Sequence, residues 1–408
     1  MSHTVTTTAE LTPAVVPRSG TANVVRLAIA QALAGANSTV VFATGAVVGD
    51  RLAPNEVLAT LPISVFVVGM AACTLPSGSI ARRHGRRAVF MTGTSCGVLV
   101  GLLSAWAILA ASFWLFCAAM FLGGAYAAVV FSFRFAAADC VLAARRPRAL
   151  SAVMAGGVFG GVIGPQLVTY TMDLWPSHTF AATFLAQAAV AALSALVLSG
   201  VRLPRPAAEE MAGMRPMGVI LCQPSFIIAV ICGAVSYLLM NFVMTAAPLA
   251  MRLCGHAQED ANLGLQWHVI AMYGPSFLTG RLITHFGAQG VVAVGLVLMG
   301  VAGVIGLAGV DVVYFWLSLV ALGVGWNFGF VGASALILEC QRPEDWTRVQ
   351  PVNDFIVFGM VAVGSFSSGG LLTSYGWDTV LWVLFAPLVL AASALTFSAA
   401  SRRSRRLT

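Results

Sequence analysis

The sequence contains no lysine, since all 22 of its basic residues are arginine. This absence excludes a P-loop lysine, a Schiff-base lysine and a serine–lysine dyad, because each of these sites needs the amine. ATP-driven pumping by this chain alone is therefore not expected. Charged residues make up only 9% of the sequence, whereas soluble domains carry about 25%. So little charge indicates a protein whose surroundings are largely lipid.

Histidine and cysteine are also sparse. The six histidines are scattered along the chain, and no HExxH motif is present. The eight cysteines stand singly, mostly inside apolar runs, and no pair has the spacing of metal ligands. We expect them to be small buried hydrophobic residues. The sequence therefore predicts no metal and no cofactor, and it disfavours a membrane-embedded enzyme, which would need a nucleophile with its base or a set of metal ligands.

Long apolar runs dominate what is present. Hydrophobic residues make up 59% of the chain, and the mean hydropathy is +0.90. A helix crosses the hydrocarbon core of a bilayer with about 20 apolar residues. The predicted spans are 22–48, 57–80, 88–110, 113–138, 150–172, 179–201, 218–249, 262–283, 289–309, 313–338, 349–373 and 377–399. The sequence therefore predicts an all-α membrane protein with twelve transmembrane helices.

The arginines are placed in a pattern that predicts orientation. The net charge of +7 could suggest nucleic acid, but the clusters fall in alternate loops. They are Arg82, Arg83, Arg86 and Arg87; Arg145, Arg146 and Arg148; Arg202, Arg205 and Arg215; and Arg402, Arg403, Arg405 and Arg406. This alternation is the positive-inside pattern of cytoplasmic loops. We expect a multi-pass protein of the inner cell membrane with both termini in the cytoplasm and no nucleic-acid partner.

The longest charged break inside the chain divides it into two halves. Residues 202–217 predict a cytoplasmic linker between a six-helix bundle of residues 21–201 and a second bundle of residues 218–400. Residues 1–20 are polar and lack a basic n-region, which predicts a disordered cytoplasmic tail rather than a signal peptide. Residues 401–408 form a basic cytoplasmic tail. We expect the chain to function as a monomer.

The two halves resemble each other at an offset of about 200 residues, the kind of internal repeat found in many membrane folds. Gly78 and Gly85 bracket the end of the second span, as Gly280 and Gly287 bracket the end of the eighth. An acid–cysteine pair closes both the fourth and the tenth span. The two pairs are Asp139-Cys140 and Glu339-Cys340. The bundles are therefore predicted to be pseudo-symmetric.

The segment from Gly78 to Arg87 resembles the loop signature of the major facilitator superfamily. In that signature a glycine, an acid, two bases and a further glycine join the second and third helices. The matching residues are Gly78, Arg83, Gly85, Arg86 and Arg87. Arg82 stands where the family usually has aspartate, so an acid elsewhere must partner these arginines. The resemblance implies two pseudo-symmetric six-helix bundles and secondary transport by alternating access.

A gate at the cytoplasmic face is one hypothesis for this loop. We expect Asp139 to partner one of its arginines when that face is closed, and we expect Arg134, near the same end of the fourth span, to be a gate or an anchor. The candidate gating residues are Arg83, Arg86, Arg87, Asp139, Arg134 and Gly85. The alternative is that the arginines only anchor the loop at the membrane surface.

The fifth span carries a second family motif. Gly156, Gly160, Gly164 and Pro165 resemble the glycine–proline motif of the superfamily's antiporters, although Gln166 stands where further glycines are usual. Glycines four residues apart give a smooth face on which another helix can slide or rock. We therefore expect this face to pack a neighbouring helix closely.

Further strings resemble one bacterial branch of the superfamily. They are Phe133–Asp139, Gln266–Phe277, Gly325–Phe328 and Val352–Phe355. Members of this branch are mostly permeases of unassigned substrate, and some have been proposed to carry riboflavin. The resemblance ranks candidate cargoes without identifying one.

Ionisable residues inside spans are costly to bury and are candidates for function by default. Asp354 lies in the eleventh span among apolar residues, where a carboxyl that switches between neutral and charged forms could couple transport to protons. The alternative is a structural salt bridge, for example to an arginine of the Gly280 or Arg342 loops. His268 in the eighth span could also bind a proton, since an imidazole titrates near neutral pH, or it could be a hydrogen-bonded residue that lines a cavity without titrating.

Uncharged polar and aromatic residues are the candidates for cargo binding, because they form typical walls of small-molecule sites. The candidates are Asn241, Gln266, Trp267, Trp326, Asn327 and Asn353. In the N-terminal half Gln31 and Ser38 share a helix face, and we rank them below the C-terminal set. Asn327, near the middle of its span, is expected to need a partner helix for its amide.

A secondary active transporter of a small organic solute, coupled to protons, is the function that these observations favour. Its partners are then the solute, protons and the lipid bilayer. The alternatives are a facilitated-diffusion uniporter, an exporter of drugs or metabolites and, from other classes, the membrane-embedded enzyme or a non-transporting receptor or scaffold. The internal repeat and the sparse loops disfavour the receptor and the scaffold.

Overall fold

The helices in the described part of the chain make up twelve membrane spans. The computed structural model describes residues 18–55, 58, 61–203, 215–342 and 344–407. The predicted tail of residues 1–20 and the predicted linker of residues 202–217 therefore lie mostly outside the described residues. The first six spans are the helices Arg18–Leu52, Leu61–His84, Arg86–Leu109, Phe113–Asp139, Arg146–Thr171 and Ala181–Ser199.

The second six spans include several irregular helices. The seventh span is Pro224–Leu253, the eighth consists of Gln258–Tyr273 and Ser276–Phe286, and the ninth is Ala288–Leu307. The tenth consists of Val312–Trp326, Asn327–Val331 and Gly332–Cys340. The last two spans together comprise the helical segments Trp346–Val383 and Phe385–Leu407, and the boundary between the two spans lies inside the first segment. Positive φ at Gly376 separates the eleventh span from the twelfth. Within the described residues, ten helices are individually long and apolar enough to cross a membrane.

Lipid as the solvent explains why these runs are helical. No water is available in the bilayer core, so each backbone N–H and C=O must be satisfied within its own segment. The outer surface accordingly exposes large apolar side chains. Examples are Trp106, Trp114, Leu196, Val297 and Val389. The core, in contrast, lies between the helices and between the two halves.

Two predicted single helices are divided in the structure. The predicted span 218–249 becomes a short helix, Met217–Leu221, followed by the main helix, because Pro224 has no N–H to continue the first helix. The predicted span 262–283 breaks at Gly274 and Pro275 for the same reason. The tenth span also contains a π-helical turn, Asn327–Val331.

The internal repeat is visible in the turns that follow the second and eighth spans. Gly85 has φ of 81° and Gly287 has φ of 78°, a left-handed conformation that glycine adopts without the steric cost of a side chain. The same turn therefore closes the same helix pair in each half. This confirms the predicted pseudo-symmetry of the two bundles.

The two halves are in contact at the end of the molecule that carries the arginine clusters. We call this end the arginine-rich face; it includes Arg82, Arg83, Arg86, Arg87, Arg145, Arg146, Arg148 and Arg215. The second span packs against the eleventh there, and the fifth packs against the eighth. Away from these contacts the halves separate and enclose a cavity.

Candidate functional site

A cavity of about 500 Å³ lies between the two halves, within the range of about 300–1,000 Å³ that is typical of small-molecule sites. Phe131 of the fourth span and Tyr237 of the seventh lie at its inner end. Met172 and Phe180, beside the loop that joins the fifth and sixth spans, line its other end. The cavity therefore extends from the middle of the bundle toward the face opposite the arginines.

Aromatic rings, methionines and uncharged polar groups form the wall of the cavity. The aromatic residues are Phe42, Phe66, Phe131, Phe180, Tyr237 and Tyr273, and the amides and hydroxyls are Gln31, Ser38, Thr39, Thr169, Asn241, Asn262 and Gln266. Among the described residues that line it, none is charged. Such a wall suits an uncharged aromatic solute with several hydrogen-bonding groups.

Two of the six predicted cargo residues line the cavity, Asn241 and Gln266. Gln31 and Ser38, which the sequence ranked lower, line it as well. The side chains of Gln31 and Asn241 are 2% and 3% exposed. Within the described structure, Gln31 Oε1 and Asn241 Nδ2 have no hydrogen-bond partner. Each half thus contributes one amide whose hydrogen-bonding capacity is not used.

Trp267 does not line the cavity, which corrects the prediction for it. Its side chain is 49% exposed, whereas Gln266, one residue earlier, faces the cavity. Consecutive residues of an α-helix point about 100° apart. Trp267 therefore lies on the outer surface of the eighth span.

Trp326 lies behind the cavity wall rather than in it, another correction. It is fully buried and stacks on Phe330, with ring centroids 5.2 Å apart and an angle of 15° between the planes. Its ring also meets the edges of Tyr237 and Tyr273, at 5.6 and 5.5 Å. Trp326 therefore supports two aromatic residues that a bound solute would touch.

Asn327 is also absent from the cavity, because neighbouring helices use its amide. Its Oδ1 accepts a hydrogen bond of 2.6 Å from Thr279 Oγ1, and its Nδ2 donates to the Met272 carbonyl at 2.6 Å and to Ser276 Oγ. These partners belong to the broken eighth span. The expectation that this amide needs a partner helix is confirmed, and its contacts join the break in the eighth span to the π-helical turn of the tenth.

Asp354 forms an ion pair across the interface between the halves. Its Oδ1 lies 2.6 Å from Nη2 of Arg134, and both side chains are buried. The predicted alternative of a salt bridge is thus present, but the partner belongs to the fourth span and not to the Gly280 or Arg342 loops. Asn353 donates to the same carboxylate oxygen at 2.9 Å and does not reach the cavity.

Hydrogen bonds and aromatic rings surround the guanidinium of Arg134. Its Nε donates to Ser334 Oγ at 3.1 Å, and its Nη1 donates to the carbonyl of Phe131. Its guanidinium lies 4.2 Å from the ring centre of Phe135 and 4.7 Å from that of Phe330. Since Phe131 lines the cavity and Phe330 packs on Tyr237, the ion pair lies directly beneath the aromatic floor of the cavity.

His268 faces away from the cavity. Its side chain is fully buried between the eighth and tenth spans, with Nδ1 2.6 Å from the carbonyl oxygen of Leu319. A ring nitrogen that meets a carbonyl oxygen donates to it, so the neutral ring satisfies this contact. His268 is hydrogen-bonded, as one alternative expected, but it does not line the cavity.

Arg86 connects three elements at the arginine-rich face. It forms an ion pair with Asp139, donates to Gln350 Oε1 at 2.8 Å and lies 3.9 Å from the ring centre of Trp346. Arg86 and Asp139 belong to the N-terminal half, whereas Gln350 and Trp346 belong to the eleventh span. Of the three arginines proposed as partners for Asp139, Arg86 makes the contact, and the exposed Arg83 and Arg87 do not.

Two glycines allow the halves to approach closely at this face. A Cβ atom at Gly78 would lie 2.5 Å from Cγ of Pro351, and one at Gly280 would lie 2.8 Å from Cα of Arg148. The Gly280 N–H also donates to Ser151 Oγ at 3.0 Å. These crossings occupy equivalent positions in the two halves. The sequence identified both glycines as marks of the repeat, but it gave no signal for Pro351, Gln350 or Trp346.

The glycines of the fifth span pack against the first span as expected. A Cβ atom at Gly156, Gly160 or Gly164 would overlap backbone or Cβ atoms of the first span. Pro165, which follows them, lines the cavity. The intervening Gly157 instead faces the ring of Tyr273 in the other half, so the fifth span presents small residues on two sides.

Metal binding has no support in the residues described. Among them, no group of three or more histidine, cysteine, aspartate or glutamate side chains is placed to hold an ion. The polar groups of the cavity are amides and hydroxyls, which suit a neutral organic solute.

Comparison with known sequences gives a consistent set of relatives. Residues 27–344 match the family described as Major Facilitator Superfamily. The riboflavin transporter RfnT of Brucella anthropi is 46% identical over 371 residues, which cover 90% of this chain and 93% of that protein. The uncharacterized MFS-type transporters YdeG and YddS of Bacillus subtilis are each 28% identical, with 89% of this chain covered and 90% and 87% of those proteins.

Solved structures share the fold. The proton:xylose symporter XylE bound to 6-bromo-6-deoxy-D-glucose superposes with a TM-score of 0.78 at 15% identity, and the match covers 91% of this chain and 94% of that chain. The transporter FucP in its outward conformation has a TM-score of 0.68 at 15% identity, with 94% and 99% covered. At this identity the likeness extends to the fold alone.

Proposed function

Because this chain belongs to the major facilitator superfamily and is a multi-pass membrane transporter, we propose that its cargo is riboflavin or a closely similar uncharged flavin. The observation that carries this proposal is the cavity wall of aromatic rings and amides without a charged residue among those described. A tricyclic ring system with polar edges matches such a wall. The 46% identity to a riboflavin transporter over nearly the full length supports the same cargo.

Alternating access is the proposed mechanism. The cavity extends toward the face opposite the arginines, while Gly78 against Pro351 and Gly280 against Arg148 close the arginine-rich face. We propose that the arginine-rich face is cytoplasmic, with both termini on that side of the inner membrane, because arginine clusters are retained on the cytoplasmic side. The cargo would then enter the cavity from outside the cell. Rocking of the two bundles of one monomer against each other would release it inside.

Protons are the proposed coupling ion, and Asp354 is the proposed site. Its carboxylate is buried, and its Oδ1 lies 2.6 Å from Nη2 of Arg134 in the other half. Protonation would remove the charge that holds this contact, and the halves could then separate beneath the cavity. His268 is the weaker candidate, since it is bonded to the Leu319 carbonyl and lies outside the cavity.

Uptake by purified protein in liposomes tests the proposal. Labelled riboflavin should enter proteoliposomes faster than protein-free liposomes, and excess unlabelled riboflavin should compete. A proton gradient should drive accumulation above the external concentration. Entry that stops at equal concentrations would indicate a uniporter, and a rate equal to that of empty liposomes would contradict riboflavin as the cargo.

A further inference from the structure

Among the described residues, each half contributes to the cavity wall a buried amide that has an atom without a hydrogen-bond partner. Gln31 lies on the first span and Asn241 on the seventh, so they belong to different halves. Both side chains are more than nine-tenths buried, and within the described structure the acceptor Gln31 Oε1 and the donor Asn241 Nδ2 lack partners. A buried polar group without a partner is unfavourable until something bonds to it. The pair therefore points to a ligand that supplies both a donor and an acceptor.

The surroundings of these amides restrict the charge of that ligand. The described lining contains no arginine, histidine, aspartate or glutamate. The guanidinium of Arg51 lies 5.5 Å from the ring centre of Phe180, but Arg51 is not part of the described wall. Closing the cavity around an anion would bury a charge without a counter-ion, which is costly. An uncharged ligand meets no such barrier.

We propose that Gln31 and Asn241 are the specificity-determining residues of the cavity and that they select an uncharged planar solute with an imide-type edge over its phosphorylated derivatives. This inference rests on the proposed transport of a flavin. An imide N–H between two carbonyls supplies the donor that Gln31 needs and an acceptor for Asn241. Because the two amides come from different halves, a solute that bonds to both draws the halves together around it.

Three probes test this selectivity: labelled riboflavin, its 3-methyl derivative, which lacks the imide N–H, and riboflavin 5′-phosphate. Wild-type protein should bind the 3-methyl compound about tenfold more weakly than riboflavin, since one hydrogen bond is lost. It should transport the phosphate ester at less than about a hundredth of the riboflavin rate, since closure would bury the phosphate. Equal transport of riboflavin and its phosphate ester would overturn the inference.

Variants show whether the amides are responsible. Gln31→Leu and Asn241→Leu should each weaken riboflavin binding about tenfold, and Gln31→Leu should no longer distinguish riboflavin from its 3-methyl derivative. Gln187→Leu is the matched control, because Gln187 is equally buried with unpartnered amide atoms in the described structure but lies outside the cavity. It should keep both the affinity and the discrimination.

The outcomes separate this inference from the function on which it rests. If wild-type protein binds riboflavin but Gln31→Leu still discriminates against the 3-methyl compound, the role given to Gln31 is wrong while riboflavin transport stands. If the folded wild-type protein binds no riboflavin, the proposed function is wrong, and this inference falls with it.

Discussion

Nη2 of Arg134 lies 2.6 Å from Oδ1 of Asp354, so a buried ion pair joins the fourth span of one half to the eleventh span of the other. The pair lies under Phe131 and Tyr237, the aromatic floor of the cavity, and against Phe330, which packs on both rings. The arginine-rich face cannot open without separating these charges. Removing one partner of a buried pair costs about 3–5 kcal/mol, so under the proposed mechanism protonation of Asp354 favours that opening.

The contact between Arg86 and Asp139 leads to a prediction about the gate. Asp139→Asn removes the ion pair that positions Arg86, so the contacts of Arg86 with Gln350 and Trp346 of the eleventh span should weaken. The population should then shift toward the state that is open at the arginine-rich face. Because Asp139 is about a quarter exposed, we expect a modest effect of about two- to fivefold in the ratio of states. The distance between spin labels at the exposed positions Arg87 and Arg342 measures it. Asp173→Asn, at the opposite face, is the control, and an unchanged distance distribution in Asp139→Asn would rule out this gate.

The close crossing at Gly78 makes a steric prediction. Gly78→Val should prevent full closure against Pro351, since even a Cβ atom would lie 2.5 Å from its Cγ. Overpacking of this kind costs about 1–3 kcal/mol, so riboflavin exchange should fall about tenfold or more. Gly359→Ala, on the helix that carries Pro351, is the control, because a Cβ atom at Gly359 meets nothing within 4 Å. Wild-type exchange by Gly78→Val would show that this crossing does not need to close.

Two native cysteines report the orientation in the membrane. Cys222 is exposed on the arginine-rich face, and Cys254 is exposed at the opposite end of the seventh span. In variants that retain one of these two thiols alone, a membrane-impermeant maleimide added to intact cells should label Cys254 and not Cys222. In permeabilised cells, the variant that retains Cys222 and the variant that retains Cys254 should both be labelled. Labelling of Cys222 alone in intact cells would invert the proposed topology.

Cys140, next to Asp139, predicts a pH dependence at the arginine-rich face. Burial raises the pKa of its thiol to about 11, although the nearby Arg86 opposes this. Only the thiolate reacts with alkylating reagents, and its fraction rises with pH until the pKa is reached. In a variant that keeps Cys140 alone, the alkylation rate should therefore increase about tenfold per pH unit between pH 7 and 10. A rate that levels off near pH 8 would show that this thiol is not buried as described.

The sequence predicts the fold well because composition is decisive in lipid. Apolar runs, alternating arginine clusters and a repeat of about 200 residues are enough for twelve helices in two related bundles. The loop motif also led to Asp139 as a partner for one of three arginines. Which arginine it is depends on the turn at Gly85, which directs Arg86 inward and leaves Arg83 and Arg87 exposed.

Side-chain direction was much harder to predict. A helix of a soluble protein has an apolar face and a polar face, whereas a membrane helix is apolar both toward the lipid and toward its neighbours. The sequence therefore does not show that Gln266 faces the cavity while Trp267 faces outward. The partner of Asp354 lies 220 residues away in the chain, and no local spacing reveals it. The sequence likewise gives no signal that Gln31 lines the same cavity as Asn241, which belongs to the other half.

A double variant separates the structural role of the central ion pair from its proposed role in coupling. Asp354→Asn alone leaves Arg134 buried without its charge partner, whereas Arg134→Gln combined with Asp354→Asn removes both charges. If the pair only stabilises the fold, the double variant should recover both thermal stability and proton-driven accumulation. We expect stability to recover by about 3 kcal/mol or more relative to the single variant, and accumulation to remain lost. Recovered accumulation would reduce the pair to a structural contact.

Proton-driven accumulation by the Asp354→Asn protein is the most direct test of the account. Liposomes containing wild-type protein, Asp354→Asn or His268→Gln are given the same inward proton gradient and labelled riboflavin, and exchange without a gradient is measured in parallel. We predict that Asp354→Asn loses accumulation but still exchanges labelled for unlabelled riboflavin, while His268→Gln keeps its accumulation. Accumulation by Asp354→Asn that still follows the proton gradient would contradict the assignment of Asp354 as the coupling residue.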